Sequence, residues 1–168
     1  MLARRETNSI GGEIMRIAIA CDNAGFPLKD DVLSVVQNAG HEIVDLGTYD
    51  QEPVDYPDYS EKAGKAILLG QADRAIVLCG SGIGASIAAN KMKGIYASVC
   101  HDVYSAHQGV EHDNMNVLCL GGRIIGPEVA KEIVKAFISA EFSKEERHIR
   151  RVNKILQIEA NGKINNGK

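Results

Sequence analysis

Short, continuously apolar runs alternate along the chain with longer stretches of helical periodicity. Arg16-Ile-Ala-Ile-Ala-Cys21 has no polar alternation after its first residue, the pattern of a strand buried on both faces. Leu28, Val32, Val35 and Val36 then recur at helical spacing as far as Gly40, a helix stop. His41–Leu46 predicts a second strand, 47–57 a loop, Tyr59–Leu69 a helix ended by Gly70, and Arg74–Cys79 a third strand. A glycine-rich turn follows, then a short helix over Ile87–Lys91 and a fourth strand over Ile95–Cys100. The pattern closes with a helix over Tyr104–Val110, a fifth strand over Asn116–Leu120, and helices over Pro127–Ser139 and Lys144–Glu159.

Strands of this kind separated by helices predict an α/β fold: a three-layer αβα sandwich around a five-stranded parallel sheet, Rossmann- or flavodoxin-like. The natural strand order is 2-1-3-4-5, with its switch point between the first and third strands. Ligands bind beyond the carboxyl ends of strands at such a point, so Cys21-Asp22-Asn23 and Cys79-Gly80-Ser81 are expected to meet there.

A length of 168 residues fits one domain, expected over 15–159, with a polar extension over 1–14 and a disordered tail over 160–168. The extension lacks the continuous apolar core of a secretory signal, and no run is long enough to span a membrane. A net charge of −3 supplies no field to draw the molecule onto nucleic acid. The four cysteines, Cys21, Cys79, Cys100 and Cys119, form no CxxC pair, so free thiols in a reducing cytoplasm are expected. His101, His107 and His112 fit no common zinc spacing, and no metal is expected. His41, at the start of a strand, reads as structural or solvated.

Chemistry concentrates at Gly80-Ser81-Gly82-Ile83-Gly84, which joins a buried strand to a helix. Alternating glycines let backbone N–H groups converge on an anion, and the helix adds its positive end. The loop has no Lys before Lys91, so it is not a P-loop, and it meets only the loose form of the dinucleotide fingerprint, ending in Ala85. A tight turn that merely connects two elements is the bland alternative. Cys79 opens the loop, where backbone donors and a helix N-terminus favour thiolate over thiol. The same donors suit an enediolate oxygen, and a base beside an oxyanion site is what proton abstraction next to a carbonyl requires. Taken alone, a cysteine in such a place is more often structural. Arg147 and Arg151 stand four residues apart, on one helix face, and suit a phosphate dianion. With Arg150 and Lys154 they also read as a solvated basic stripe.

Several separated motifs together resemble the ribose-5-phosphate isomerase B family, which includes galactose-6-phosphate isomerase subunits. They are Ile19-Ala-Cys-Asp-Asn-Ala-Gly25, Asp45-Leu-Gly-Thr48, Asp55-Tyr-Pro57, and the Cys79 loop running on to Ile87-Ala-Ala-Asn-Lys91. His112-Asp-Asn-Met-Asn-Val-Leu118, Gly122-Arg123 and Arg147-His-Ile-Arg-Arg151 complete the set, which spans about 16–157. The resemblance implies an aldose–ketose isomerase of a small phosphorylated sugar, ribose 5-phosphate first, with other four- or six-carbon aldose phosphates as alternatives. It implies that Cys79 is the base, that Ser81 sits beside the enediolate oxygens and that His112 assists ring opening as a proton donor. Asp22 and Tyr56 would line the sugar site with Gly80, Gly82, Ile83 and Gly84, while Arg123, Arg147, His148 and Arg151 would surround the phosphate. It implies no metal or organic cofactor, and a site shared between two subunits of a homodimer or dimer of dimers. Two positions depart from the family: Asn23 stands where many members carry His, and Asp113 where Asn is usual, with Asn114 one residue later. Asn23 can donate a hydrogen bond but carries no charge, and Asp113 could orient or charge His112. A non-catalytic sugar-phosphate sensor would need the arginines but not the thiol, and a flavodoxin-like nucleotide binder rests on the loose glycine match alone.

Overall fold

The computed structural model describes residues 13–162. The expected extension and tail therefore fall mostly outside the described residues, and the last helix runs through two of the expected tail residues, to Asn161.

The described residues form five strands, six α-helices and a 3-10 turn. In chain order these are β1 (Arg16–Cys21), the 3-10 turn (Phe26–Leu28), α1 (Lys29–Asn38), β2 (Glu42–Asp45), α2 (Tyr56–Leu68), β3 (Arg74–Cys79) and α3 (Ile83–Ala89). Then come β4 (Ala97–Val99), α4 (Val103–Asp113), β5 (Val117–Gly121), α5 (Pro127–Ser139) and α6 (Glu146–Asn161). Local chemistry sets these bounds. Asp30 and Asp31 lie in the first turn of α1 and Asp58 in that of α2, where they favour the helix dipole. The Asp102 carboxylate caps α4 by accepting the Ser105 N–H at 2.7 Å, and Asn114 ends it in the left-handed conformation at φ 55°.

All strand pairs are parallel, in the order β2-β1-β3-β5-β4. The expected order placed the fourth strand inside and the fifth at the edge, and the structure reverses them. Burial explains the reversal. β5 is an unbroken apolar run buried at every residue, whereas β4 is three residues long with a polar, exposed Ser98 at its centre. A fully apolar strand belongs inside a two-sided sheet and a short, polar one at its edge. The swap matters for function, because it pairs Cys79 with Gly121 and so brings the chain after β5 beside the chain after β3.

Each face of the sheet carries its own core. On one, Ile17, Ile19, Leu78, Leu118 and Leu120 pack against Val32, Val36, Val110, Ile133 and Phe137. On the other, Ala18, Ala20, Val77 and Cys119 pack against Ala63, Ala66, Ala85 and Ala89, small residues that let α2 and α3 lie close to the strands. Lys29 is buried, with its Nζ at 2.8 Å from the Asp45 carboxylate and donating to the Thr48 carbonyl at 2.7 Å. That pair ties the start of α1 to the chain leaving β2.

At the carboxyl ends of the strands the backbones touch directly. A Cβ on Gly25 would strike the Leu78 carbonyl and come within 2.7 Å of the Cys79 nitrogen. Gly25→Ala is therefore expected to lower unfolding free energy by about 1–3 kcal/mol through overpacking. Urea unfolding of the variant against the parent checks this; an unchanged midpoint would show that the loop after β1 yields freely.

Candidate active site

Cys79 ends β3 and lines a cavity of about 400 Å³ with Asp22, Asn23, Tyr56, Ser81 and Arg123. The backbone holds these residues in register. The Asp22 N–H donates to the Leu78 carbonyl at 3.1 Å, the Gly122 N–H to the Cys79 carbonyl at 2.7 Å, and the Arg123 N–H to the Gly80 carbonyl at 3.0 Å. Gly121 lies on Ser81, with a Cβ there 2.7 Å from the Ser81 carbonyl carbon, and Gly122 lies on the Ala24 carbonyl. Three loops thus close on one another without intervening side chains.

The loop after β3 arranges donors around the thiol. Gly82 adopts φ 81°, a conformation open to glycine, and its N–H donates to Cys79 Sγ at 3.0 Å. The Ile83 N–H donates to Ser81 Oγ at 3.3 Å. α3 begins at Ile83, four residues before the predicted Ile87, so the Gly82–Gly84 turn is itself the helix start. The next N–H groups, on Gly84 and Ala85, lie in the first turn and have no intrahelical acceptor. Tyr56 lies over Gly84, where a Cβ would come within 2.5 Å of the phenol ring. Asp22 is almost buried and accepts the Ala24 and Gly25 N–H groups at 2.8 Å each, which fixes its carboxylate at the cavity wall. Asn23 Oδ1 accepts the Val54 N–H at 3.3 Å, leaving its amide NH2 as the remaining donor. Arg123 is the one cation among the described lining residues.

The other thiols do not line this cavity. Burial pushes Cys21 up to about 11 despite the nearby Lys29 charge. Burial also raises Cys100, and raises Cys119 with the neighbouring Cys79 adding to the effect.

His112, Asp113, Arg147, His148 and Arg151 are not in this cavity. α4 runs back from the carboxyl ends of the strands, so its last turn, with His112, lies at their amino ends; α6 starts beside it. Cys79 and His112 are thus separated by the length of the sheet, about 15–20 Å for strands of this size. At that second pole His112 and His148 stack, with ring centroids 4.1 Å apart. His148 is 1% exposed, its Nδ1 is 2.6 Å from Ser143 Oγ, and its Nε2 is buried without a hydrogen-bond partner among the described residues. Burial lowers the His148 pKa, and His112 and Arg147 lower it further. Arg147 and Arg151 are exposed on α6. Asp113 is exposed too, and the His112 ring nitrogens meet Gln108 and Glu111 rather than Asp113, so the expectation that Asp113 could orient His112 is not met. Asn114 caps α4 through its backbone N–H and its left-handed conformation, and it does not line the Cys79 cavity.

Sequence reasoning missed the glycine contacts that build the cavity. Among the described residues no cluster could hold a metal ion, and no helix is long and apolar enough to cross a membrane.

The sequence matches the Ribose/Galactose Isomerase family over residues 17–155. Ribose-5-phosphate isomerase B of Escherichia coli strain K12 is 42% identical over 144 residues, covering 86% of this chain and 96% of that protein. D-erythrulose-4-phosphate isomerase of Pectobacterium atrosepticum is 43% identical over 132 residues, covering 77% of this chain and 86% of that protein. Among solved structures, ribose-5-phosphate isomerase B of Clostridium thermocellum superposes with a TM-score of 0.83 at 44% identity, over 87% of this chain and 98% of that one.

All four thiols are buried, but burial raises the pKa of Cys21, Cys100 and Cys119, whereas Cys79 lines the cavity and accepts the Gly82 N–H, and this difference predicts selective chemistry. Iodoacetamide at neutral pH is expected to modify one cysteine of the folded protein, Cys79, because thiolate access governs alkylation. Peptide mass spectrometry reads the site, and first labelling at Cys21, Cys100 or Cys119 would contradict the assignment of Cys79 as the reactive, cavity-lining thiol.

Proposed function

The chain belongs to the ribose/galactose isomerase family, and from that premise we propose that it interconverts ribose 5-phosphate and ribulose 5-phosphate with Cys79 as the base. The observation that carries this reading is the Gly82 N–H on Cys79 Sγ at the wall of a cavity of about 400 Å³, sized for a small phosphorylated sugar. A donor aimed at sulfur stabilises a thiolate.

In the open-chain aldose, the thiolate removes the proton on C2. The C–H bonding pair becomes the C1=C2 double bond, and the carbonyl pair moves onto O1. Return of the proton to C1, with transfer of the O2 proton to O1, gives the ketose. The reaction balances within one substrate and needs no oxidant or reductant. Negative charge grows on O1 in the enediolate, which the unpaired first-turn N–H groups of Gly84 and Ala85 would stabilise. Ser81 Oγ, already accepting the Ile83 N–H, has a hydroxyl proton to offer between O1 and O2. Asp22, Asn23 and Tyr56 supply the walls and donors for sugar hydroxyls.

One arginine poorly matches a phosphate dianion, and Arg123 stands alone in the cavity lining. We therefore assign His112, Arg147, His148 and Arg151 to the site of a second copy of the chain, with Asp113 at its margin. A homodimer, alone or paired into a tetramer, would then hold two complete sites. Support for this reading is the separation of two chemically incomplete poles. The cytoplasm belongs to the same proposal, supported by four unpaired thiols. A four-carbon substrate is the second reading; the 43% identity to a D-erythrulose-4-phosphate isomerase and the neutral Asn23 favour it.

A panel of four-, five- and six-carbon aldose phosphates, ranked by kcat/KM, tests the substrate. Ribose 5-phosphate is expected first, and no turnover of any member would defeat the isomerase reading. Cys79→Ala is expected to lower kcat by about 10²–10⁴-fold while calorimetric binding of the sugar phosphate persists. Unchanged turnover would remove Cys79 from the role of base.

The shared site has its own test. Cys79→Ala and His112→Ala, each inactive alone, are expected to regain about a quarter of the parental rate when refolded together, because mixed dimers keep one intact site. No regained activity despite demonstrated mixed dimers, or an active monomer by sedimentation, would place the whole site within one chain.

A further inference from the structure

β4 pairs with β5 no further than Val99, which stands opposite Cys119. Two residues on, Gly121 pairs with Cys79 of β3 on one side and has no strand partner among the described residues on the other. A side chain takes the place of the missing strand: the Gly121 N–H donates to Nε2 of His101 at 3.0 Å. A backbone N–H can only donate, so the roles in this bond are fixed, and a ring turned by half a rotation would offer the donor carbon in place of nitrogen. We infer that His101 is a positioning residue of the active site: it holds the Gly121 peptide as the seat of the Ser81–Gly82 turn, and so keeps the Gly82 N–H on the Cys79 thiol. This inference rests on the proposed role of Cys79 as the base.

Every link from the imidazole to the sulfur is a close contact. A Cβ on Gly82 would lie 3.3 Å from the Leu120 carbonyl carbon and 3.4 Å from the Gly121 nitrogen, the two ends of the peptide bond whose N–H His101 accepts. A Cβ on Gly121 would fall 2.7 Å from the Ser81 carbonyl carbon and 2.8 Å from its oxygen. Turn and peptide therefore lie against each other with no room between them, and a shift of one moves the other. The Gly82 N–H then donates to Cys79 Sγ at 3.0 Å. Gly121 also starts the turn that carries Arg123, since its carbonyl accepts the Ile124 N–H at 2.9 Å. Arg123 has a tie of its own, from its N–H to the Gly80 carbonyl at 3.0 Å, so it depends less on His101 than Gly82 does.

His101 can act as an anchor because the chain is held on both sides of it. The Cys100 N–H donates to the Cys119 carbonyl at 3.3 Å, and the Asp102 carboxylate caps α4 through the Ser105 N–H at 2.7 Å. His101 is thus the whole connection between the last bond of the β4 edge and the cap of α4. It is half-buried and does not line the Cys79 cavity, so its effect on turnover has to be transmitted through Gly121.

Three variants separate the bond from the bulk of the ring. Glutamine carries an acceptor oxygen at about the reach of Nε2, asparagine carries one too short to arrive, and leucine carries none. Amide hydrogen exchange of the protein without substrate, read residue by residue by NMR, reports the seat and the turn separately. His101→Leu and His101→Asn are each expected to speed exchange about tenfold or more at Gly121 and also at Gly82, while amides in the middle of the sheet keep their rates. His101→Gln is expected to exchange at both glycines like the parent. With ribose 5-phosphate, leucine and asparagine are expected to lower kcat about tenfold or more and to change KM less than about threefold, with glutamine restoring kcat. Should leucine loosen the whole sheet, asparagine carries the test. Faster exchange at Gly121 with Gly82 unchanged, or a kcat indifferent to loss of the bond, would overturn the inference. Exchange needs no turnover. A failed isomerase reading therefore shows as an inactive parent in which Gly82 still follows His101, and a failed His101 role as an active parent in which it does not.

Discussion

Where β1, β3 and β5 end, three chain segments meet backbone to backbone. Gly25 rests on the Leu78–Cys79 peptide, Gly121 on Ser81, and Gly122 on the Ala24 carbonyl. Any side chain at these contacts would drive the loops apart, because a Cβ there falls well inside contact distance. The positions of Asp22, Cys79, Ser81 and Arg123 relative to one another follow from this close approach. Hydrogen bonds from Asp22, Gly122 and Arg123 to the β3 loop add direction to what the packing sets in distance. A cavity built this way is stiff at its floor, where a base has to keep its place, and leaves its walls to side chains.

Electrostatics divides the molecule differently from packing. The packed cavity has a thiol, donors and one arginine; the opposite pole has two exposed arginines, a stacked histidine pair and a buried nitrogen with no partner. An unsatisfied polar atom in a buried ring is costly, on the order of 1–3 kcal/mol. The exposed apolar side chains of α6, Ile149, Leu156 and Ile158, follow the same logic, since a helix with few buried residues of its own is poorly anchored as a lone element.

Much of this was readable from the sequence, and the exceptions have physical causes. β1 and β3 fall at their expected bounds because both are unbroken apolar runs closed by a change of chemistry. α5 does so because Pro127 opens it. The start of α3 was misplaced because Gly82 and Gly84 weigh against a helix by propensity, while donors to Sγ and Oγ and the pressing Tyr56 ring hold the turn regardless. Strand order was misjudged because periodicity reports which residues are buried, not which strand lies beside which. Ser98 at the centre of β4 was the available clue to an edge. The residues of the cavity were legible largely through family motifs, whereas the glycine contacts that assemble them are long-range and leave only isolated glycines in the text of the chain.

A two-fold arrangement is the simplest way to make such a molecule whole. If the arginine pole of one copy covers the Cys79 pole of another, the reverse contact follows by symmetry, and the assembly closes at two with no half-site left open. A head-to-tail arrangement would instead leave one unfilled cavity and one uncovered arginine pole at each end of a growing chain. Closure also explains why the two poles can be built by different means. The Cys79 pole has to be preorganised within one chain, since the developing enediolate allows no time for rearrangement. On the proposed reading the arginine pole would act on a phosphate remote from the reacting carbons, where long guanidinium side chains tolerate small displacements between subunits. His112 is the exception, because it would act near the reacting end while arriving from the second copy. Its stack on His148 and its contact with Gln108 hold the His112 ring in one orientation.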